Sequence, residues 1–521
     1  MEMRLKNIVT FLLLIICSIV IFSSCDNENW NEHYSINENV VSDNTLWETI
    51  QMTPNLVKFA QILKNAGYDK VLSESQMFTV WAPVDSALVD FNMDSTLLVK
   101  EFICNHITRF SYPATGAFET KISVLNTKVL IFKSIGSDFF FGDAKLIQKN
   151  LVSSNGILHL IDKRVSFFSN IWEYLEKDQR LDSVRNYLFS YNQIIFNEKN
   201  SIPGDVNAEG KTVYLDSVFY NANVLFKRLG YLSSEDSTYN VILPTNTAWT
   251  NSYNNIKTYF RYYANSASAK ISADTLQRQY TMNALVKDLM FSNNMQPSPT
   301  DSLISTQKDV FYLPQYLFGG ADKVVASNGN IYITNELKYN HWESWNKTIT
   351  VEAEKLTGRD NTMSSVFNRN SNGSVITGIS GNRYIEVMPT TSASNPTISF
   401  EIPNSLSGAA YNIYCVFVPV TAASANATDL KPCKVNFQLT YLNEAGTAFT
   451  QAYNNSSQSY ITEKDKISKV LVVSNFKFPY CDFGLDKVNV KLKVISNVAQ
   501  NQTTLYTREL LIDCIVLEPV H

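Results

Sequence analysis

The sequence predicts a multidomain α+β chain: a mixed α/β unit present twice in tandem, followed by an all-β sandwich. Three observations lead there. The length of 521 residues exceeds one ordinary core, and at roughly 100–200 residues per domain it accommodates about three. A helix, an apolar strand and a pair of strands recur in the same order before residue 346. From about Thr348 the pattern changes to short alternating β-runs between loops of Ser, Asn, Gly and Thr.

The first residues read as an export signal. Arg4 and Lys6 precede an apolar run from Ile8 to Phe22, broken only by Thr10, Cys17 and Ser18. Its 15 residues fall short of the roughly 20 that cross a bilayer. Ser23 and Ser24 then supply the small side chains a peptidase needs, and Cys25 supplies a thiol for lipid transfer. Phe22-Ser23-Ser24-Cys25 resembles a lipobox, although the commonest form has Leu three residues before the cysteine. The resemblance implies a lipoprotein signal peptide over 1–24, cleavage before Cys25 and anchoring to a lipid membrane through that residue. An uncleaved anchor and an ordinary secretory signal are the alternatives. Residues 25–40 open with a polar, acidic stretch without hydrophobic periodicity and read as a flexible tether. Acidic residues just after the lipid cysteine also resemble the surface-export signal of Bacteroidetes lipoproteins.

The repeat comes next. Thr45-Leu46-Trp47-Glu48-Thr49-Ile50 is echoed by Asn170-Ile171-Trp172-Glu173-Tyr174-Leu175, each opening an amphipathic helix. Asn44 or Thr45 caps the first helix and Asn170 the second. Each copy then has an apolar strand ending in proline, Phe78 to Pro83 and Asn240 to Pro244. Asp85 in one copy, and Thr245 or Asn246 in the other, suit a turn or cap leading into a helix. Each copy closes on a strand pair around Asn-Gly, at Asn155-Gly156 and Asn328-Gly329, where tolerance of positive φ reverses the chain.

Thr79-Val80-Trp81-Ala82-Pro83-Val84-Asp85 and the run from Asn155 to Asp162 resemble the two hallmark segments of the fasciclin domain. The resemblance implies two tandem fasciclin α/β-wedge domains, the first over 41–168 and a divergent second over 169–345. The second copy carries insertions near 195–215 and 250–280. Fasciclin domains are mostly adhesion modules, and a Tyr-His pair in many is linked to that role. Here the matching place is Asn105-His106, and Asp288-Leu289-Met290 has no neighbouring histidine, so the role is not carried over. His106 and His159 read instead as core or rim histidines with satisfied hydrogen bonds.

Residues 346–521 alternate as an antiparallel β-sandwich. Val351-Glu352-Ala353-Glu354 and the run from Leu511 to Leu517 resemble the first and last strands of a galactose-binding-like jelly roll of the carbohydrate-binding-module type. That resemblance implies a structural calcium held by Glu352, Glu354 and Asp513; carboxylates simply facing solvent are the alternative.

Recognisable catalytic motifs are absent from the sequence, and a carboxylate pair distant in sequence leaves an exported hydrolase as a further rival reading. There is no HExxH, phosphate-binding glycine loop or GxSxG elbow, and the five histidines lack metal-ligand spacing. A net charge of −4 argues against a nucleic-acid partner. Cys104, Cys415, Cys433, Cys481 and Cys514 read as buried thiols or as holding one disulfide near the C-terminus. Aromatic residues make up 12% of the chain, and rings stack on sugar faces. Trp342 and Trp345 are the glycan-binding candidates, with a hydrophobic wedge between domains as the other reading. Asp-Ser/Thr motifs of the kind Bacteroidetes O-glycosylate recur at Asp85, Asp94, Asp182, Asp216, Asp236, Asp274 and Asp301, beyond the roughly one or two that composition gives.

Together these readings describe a non-enzymatic, lipid-anchored protein of the outer membrane, exposed at the cell surface. Its expected work is binding polysaccharide or docking on a SusC/SusD-type importer. A surface adhesion protein binding host or bacterial proteins is the alternative.

Overall fold

A computed structural model describes residues 43–92, 95–293, 302–371, 373, 375–428, 430–453 and 459–520. The expected signal peptide 1–24, Cys25 and the whole tether 25–40 lie outside the described residues, as do Asp94 and Asp301. The described residues divide into two compact units, those up to Phe168 and those from Ser169 onward. Among the described residues, no helix is long and apolar enough to cross a membrane.

The first unit is a seven-stranded sheet against three main helices. In chain order these are α1 (Leu46–Met52), α2 (Val57–Asn65), β1 (Phe78–Pro83), α3 (Thr96–Asn105), β2 (Ile107–Arg109), β3 (Glu119–Ser123), β4 (Val129–Ile135), β5 (Asp138–Phe141), β6 (Ala144–Ser153) and β7 (Gly156–Ile161). The sheet runs β2-β1-β7-β6-β5-β4-β3, with β1 parallel to β7. Every residue of β1 and β7 is buried, because both faces of these strands are covered and their apolar residues therefore run on without alternating. Leu46, Phe59, Leu63, Val80 and Leu158 form the core under the helices. Trp81 anchors a second core on the other face, stacked on Phe141 at 3.8 Å with the rings 4° apart.

The second unit opens with the same arrangement. It contains α4 (Ile171–Lys177), α5 (Asp182–Phe189), β8 (Asn192–Phe196), β9 (Ile202–Val206), β10 (Thr212–Asp216), β11 (Phe219–Asn223), β12 (Tyr239–Pro244), α6 (Asn246–Lys257), α7 (Ala267–Val286), β13 (Met290–Ser292), β14 (Ser302–Ile304), β15 (Val310–Tyr312), β16 (Asp322–Ala326) and β17 (Gly329–Thr334). Its sheet runs β13-β12-β17-β16, strand for strand the order β2-β1-β7-β6 of the first unit. β12 is parallel to β17 as β1 is to β7. The divergent stretches have defined forms: two nested hairpins, β8 with β11 and β9 with β10, and the helix pair α6–α7.

Local chemistry repeats as well. Thr45 with Glu48, and Asn170 with Glu173, form capping boxes that start α1 and α4. Asp85 accepts the N–H groups of Val57 and Lys58 at 3.2 and 2.8 Å, so it caps α2 rather than the helix that follows it. Its counterpart Asn246 accepts the N–H of Ser183 at 2.8 Å, while Thr245 caps α6.

The remaining strands are β18 (Ile349–Glu352), β19 (Arg359–Thr362), β20 (Ser364–Asn370), β21 (Arg383–Pro389), β22 (Thr397–Glu401), β23 (Ala410–Phe417), β24 (Lys434–Leu442), β25 (Ala448–Tyr453), β26 (Tyr460–Ile461), β27 (Ser468–Lys477), β28 (Lys491–Ser496) and β29 (Leu510–Pro519). They form two antiparallel sheets, β20-β21-β29-β23-β27 with β18 on β29, and β19-β22-β28-β24-β25 with β26 on β24. Ile398, Phe400, Phe437, Leu492, Ile512 and Ile515 fill the space between them. That core is continuous with the α/β half of the same unit through Phe260, Leu285, Tyr411 and Phe478. Cys104, Cys415, Cys433, Cys481 and Cys514 are all buried free thiols.

Candidate functional site

The carboxylates expected to hold calcium sit where the first and last strands of the sandwich meet. Glu352 pairs with Cys514 across β18 and β29. A bulge between β23 and β29 passes over Asp513, since Val416 faces Cys514 and Phe417 faces Ile512. As a result the Glu352 and Asp513 oxygens and the Cys514 sulfur all lie within 4.8 Å of one another. Ser380 closes the group, its Oγ donating to Glu352 Oε1 at 2.7 Å and its N–H reaching both Asp513 oxygens at 3.2 Å.

The carboxyl groups of this cluster are crowded and partly buried. Burial, and then the charges of Glu352 and Glu354, push the Asp513 carboxyl up to about 6. Glu352 Oε2 and Glu354 Oε2 are buried without a hydrogen-bond partner. Glu354 stands beside the group rather than inside it, near Arg359, which donates to the Ala353 carbonyl at 2.9 Å. The donors are oxygens that suit a hard cation such as calcium. Burial raises the Cys514 thiol, which keeps it protonated and makes it a poor ligand for a soft metal.

The tryptophan candidates lie elsewhere. Trp345 is half-buried and packs edge-on against Tyr259 at 4.8 Å, with Phe260 and His341 beside it. Trp342 meets His341 edge-on at 5.0 Å. Trp345 thus packs against the core that joins the two halves of the second unit.

Sequence reasoning missed the outward face of the sheet β19-β22-β28-β24-β25. Alternation turns Ile398, Phe400, Leu492, Val494, Phe437 and Leu439 inward and leaves a polar surface outside. Its middle row runs Asp360, Ser399, Lys493, Gln438 in register over four strands. The flanking rows are Thr397, Ile495, Asn436 and Glu401, Lys491, Thr440. Lys491 and Glu401 pair at 2.9 Å, whereas Asn436 Oδ1 is buried with no partner. Only the period-two pattern of these strands could have pointed to this face.

Both buried histidines of the first unit are fixed as neutral rings. His106 Nδ1 donates to the Phe102 carbonyl at 2.7 Å, and Nε2 accepts from the Val165 N–H at 3.0 Å. His159 uses the opposite tautomer, Nε2 to the Tyr112 carbonyl at 2.9 Å and Nδ1 from the Asn150 N–H at 3.2 Å. Burial pulls both down to about 4. Asn105 and His106, 1% and 0% exposed, form no surface contact pair.

Residues 54–165 match the fasciclin domain. The fasciclin fold of the first unit therefore stands on its own match, and the second copy shares its strand order. No curated protein matches the chain. Similar solved structures include a FAS1 domain pair from the insect cell adhesion molecule Fasciclin I, 12% identical, covering 56% of this chain and 98% of that one with a TM-score of 0.21. The CBM22-1 xylan-binding domain of Paenibacillus barcinonensis Xyn10C is 12% identical over 33% of this chain and 93% of its own, with a TM-score of 0.22. A CBM35 from Paenibacillus barcinonensis is 15% identical over 32% and 96%, with a TM-score of 0.16. Residues 54–165 thus lie in a fasciclin domain, residues 169–345 repeat its central strand order, and a two-sheet β-sandwich follows.

Proposed function

We propose that the chain is a non-enzymatic lipoprotein, cut before Cys25 and held by lipid on the outer membrane, whose sandwich binds glycan at the cell surface. The observation that carries this reading is the polar outward face of β19-β22-β28-β24-β25, where Ser399, Lys493 and Gln438 stand in one row. Sugars are bound by amides, hydroxyls and charged groups that replace water at their hydroxyls, and Ser399, Lys493, Gln438 and Asn436 offer these side by side. A calcium ion on Glu352, Glu354 and Asp513 would tie the first strand to the last and hold the sandwich closed. Such a protein would serve polysaccharide uptake beside a SusC/SusD-type importer.

Affinity electrophoresis of the mature chain through gels carrying different polysaccharides tests the reading. Retardation by at least one neutral polymer is expected, and Asn436→Ala with Gln438→Ala should abolish it. Unretarded migration in every gel, with co-purification of an importer pair, would shift the role to docking. The fasciclin match over 54–165 favours a second reading, adhesion to host or bacterial protein. Binding of the mature chain to surface proteins, undiminished by the same double substitution, would support it.

A further inference from the structure

The second unit contains a cleft of about 480 Å³ between its α/β half and its sandwich, within the ~300–1,000 Å³ range of small-ligand sites. Its aromatic wall is Phe260, Tyr280, Trp345 and Phe483, with Tyr280 and Phe483 edge to face at 5.0 Å. Arg228, Lys287 and Lys347 also line the cleft. Arg228 belongs both to this cleft and to an adjoining hollow lined by Lys227, Thr306, Gln307 and Lys308. Exposed Lys347 and Asn404 stand at the rim.

The guanidinium of Arg228 meets neutral groups of the protein, Asn283 and the nearby Tyr187 hydroxyl. Both of its Nη groups reach the same neutral acceptor, Asn283 Oδ1, at 3.3 Å, and its buried Nε has no partner. An arginine fork matched to an anion makes two shorter, parallel bonds. Thr306 Oγ1 is also buried without a partner on the wall of the adjoining hollow. The carboxylates nearby are already committed. Asp309 bridges Lys287 at 2.5 Å and Lys347 at 3.1 Å, and these bonds outweigh its burial and hold it below the usual carboxylate range. Asp288 lies behind, accepting from Ser305 and Ser344 at 2.5 Å each. Lys227, Arg228 and Lys308 therefore leave the two hollows with an excess of positive charge.

We propose that this cleft, together with the hollow that adjoins it at Arg228, binds the acidic sugar of a polysaccharide, with Arg228 holding the carboxylate of a uronic acid, Thr306 of the adjoining hollow supporting it, and the aromatic wall lying against the sugar ring. Resting on the glycan reading above, this names an acidic class of glycan and a site separate from the outward sheet face.

The test uses polygalacturonate and its fully methyl-esterified form, which share a backbone and differ in charge. The mature chain is expected to be retarded more strongly by polygalacturonate, by roughly tenfold in apparent affinity. Arg228→Met should erase that preference, and Thr306→Val, which leaves every charge in place, should weaken it. Equal retardation by both polymers overturns the proposal, as does an unchanged preference in Arg228→Met. If Arg228→Met does not fold, Thr306→Val decides alone, and an unaltered preference there overturns it too. Failure of polygalacturonate alongside binding of a neutral polymer rejects the cleft and leaves the broader reading intact. Failure of every polymer rejects both.

Discussion

Asn155 accepts the backbone N–H of Leu46 through Oδ1 at 2.7 Å, across 109 residues of chain. Its Nδ2 donates to the carbonyls of Leu72 and Glu74 at 2.9 and 2.5 Å. In the second copy Asn328 Oδ1 accepts from Ile171 at 2.9 Å, and its Nδ2 donates to Leu232 and Ser234 at 2.8 and 3.0 Å. One amide in each copy therefore clamps the first helix and a neighbouring loop onto the closing hairpin.

Removing either clamp leaves buried donors and acceptors bare. Asn155→Ala and Asn328→Ala are each expected to cost about 2–4 kcal/mol, read as a lower urea midpoint for the unit concerned. Gly156→Ala is expected to be worse, because a Cβ there would lie 2.0 Å from the Phe78 carbonyl oxygen. A midpoint unchanged by both asparagine substitutions would contradict the clamp.

The histidines make the first unit acid-labile. Their folded values near 4 lie below the unfolded value near 6.5, so the unfolded chain binds more protons in between. The stability they contribute is present above about pH 6.5 and is lost as pH falls toward 4, up to roughly 3 kcal/mol for each ring. Protonation would also set a second N–H against the Val165 or Asn150 N–H. Unfolding curves from pH 7 to pH 4 should show the decline, and His159→Gln should flatten it.

Calcium is expected to raise the melting temperature of the second unit, and a chelator to reverse the gain. At a hundredfold excess over Kd the increment is about 2.7 kcal/mol. Asp513→Asn should remove the response. Identical melting curves with calcium and with chelator would exclude the site.

Cys25→Ser is expected to move the protein out of the membrane fraction, and intact-mass analysis of the wild type should find acyl chains on Cys25. Recovery of the wild type with a bare thiol there would remove the anchor from the account.

Much of this fold could be read from local signals. The capping boxes at Thr45 and Asn170 and the strand pairs at both Asn-Gly sites follow from residue chemistry a few positions apart. The reason for Asn-Gly was different, however. Asn155 is absent from the residues with positive φ, and its amide works across the domain. Gly156 is required because β1 passes too close for a side chain. Glu352 and Asp513 were legible as a pair, since strand ends carry a sequence pattern. The outward sheet face and the Arg228–Thr306 wall were not, because their residues are distant in sequence and obey no spacing rule.

The unbroken core of residues 169–521 has a practical corollary for anyone dissecting the molecule. A cut at 346 would run through packed apolar side chains and leave Trp345, Phe260 and Tyr411 facing water. Neither fragment would keep a soluble surface where it had been severed, so the sandwich is best handled with its α/β neighbour attached.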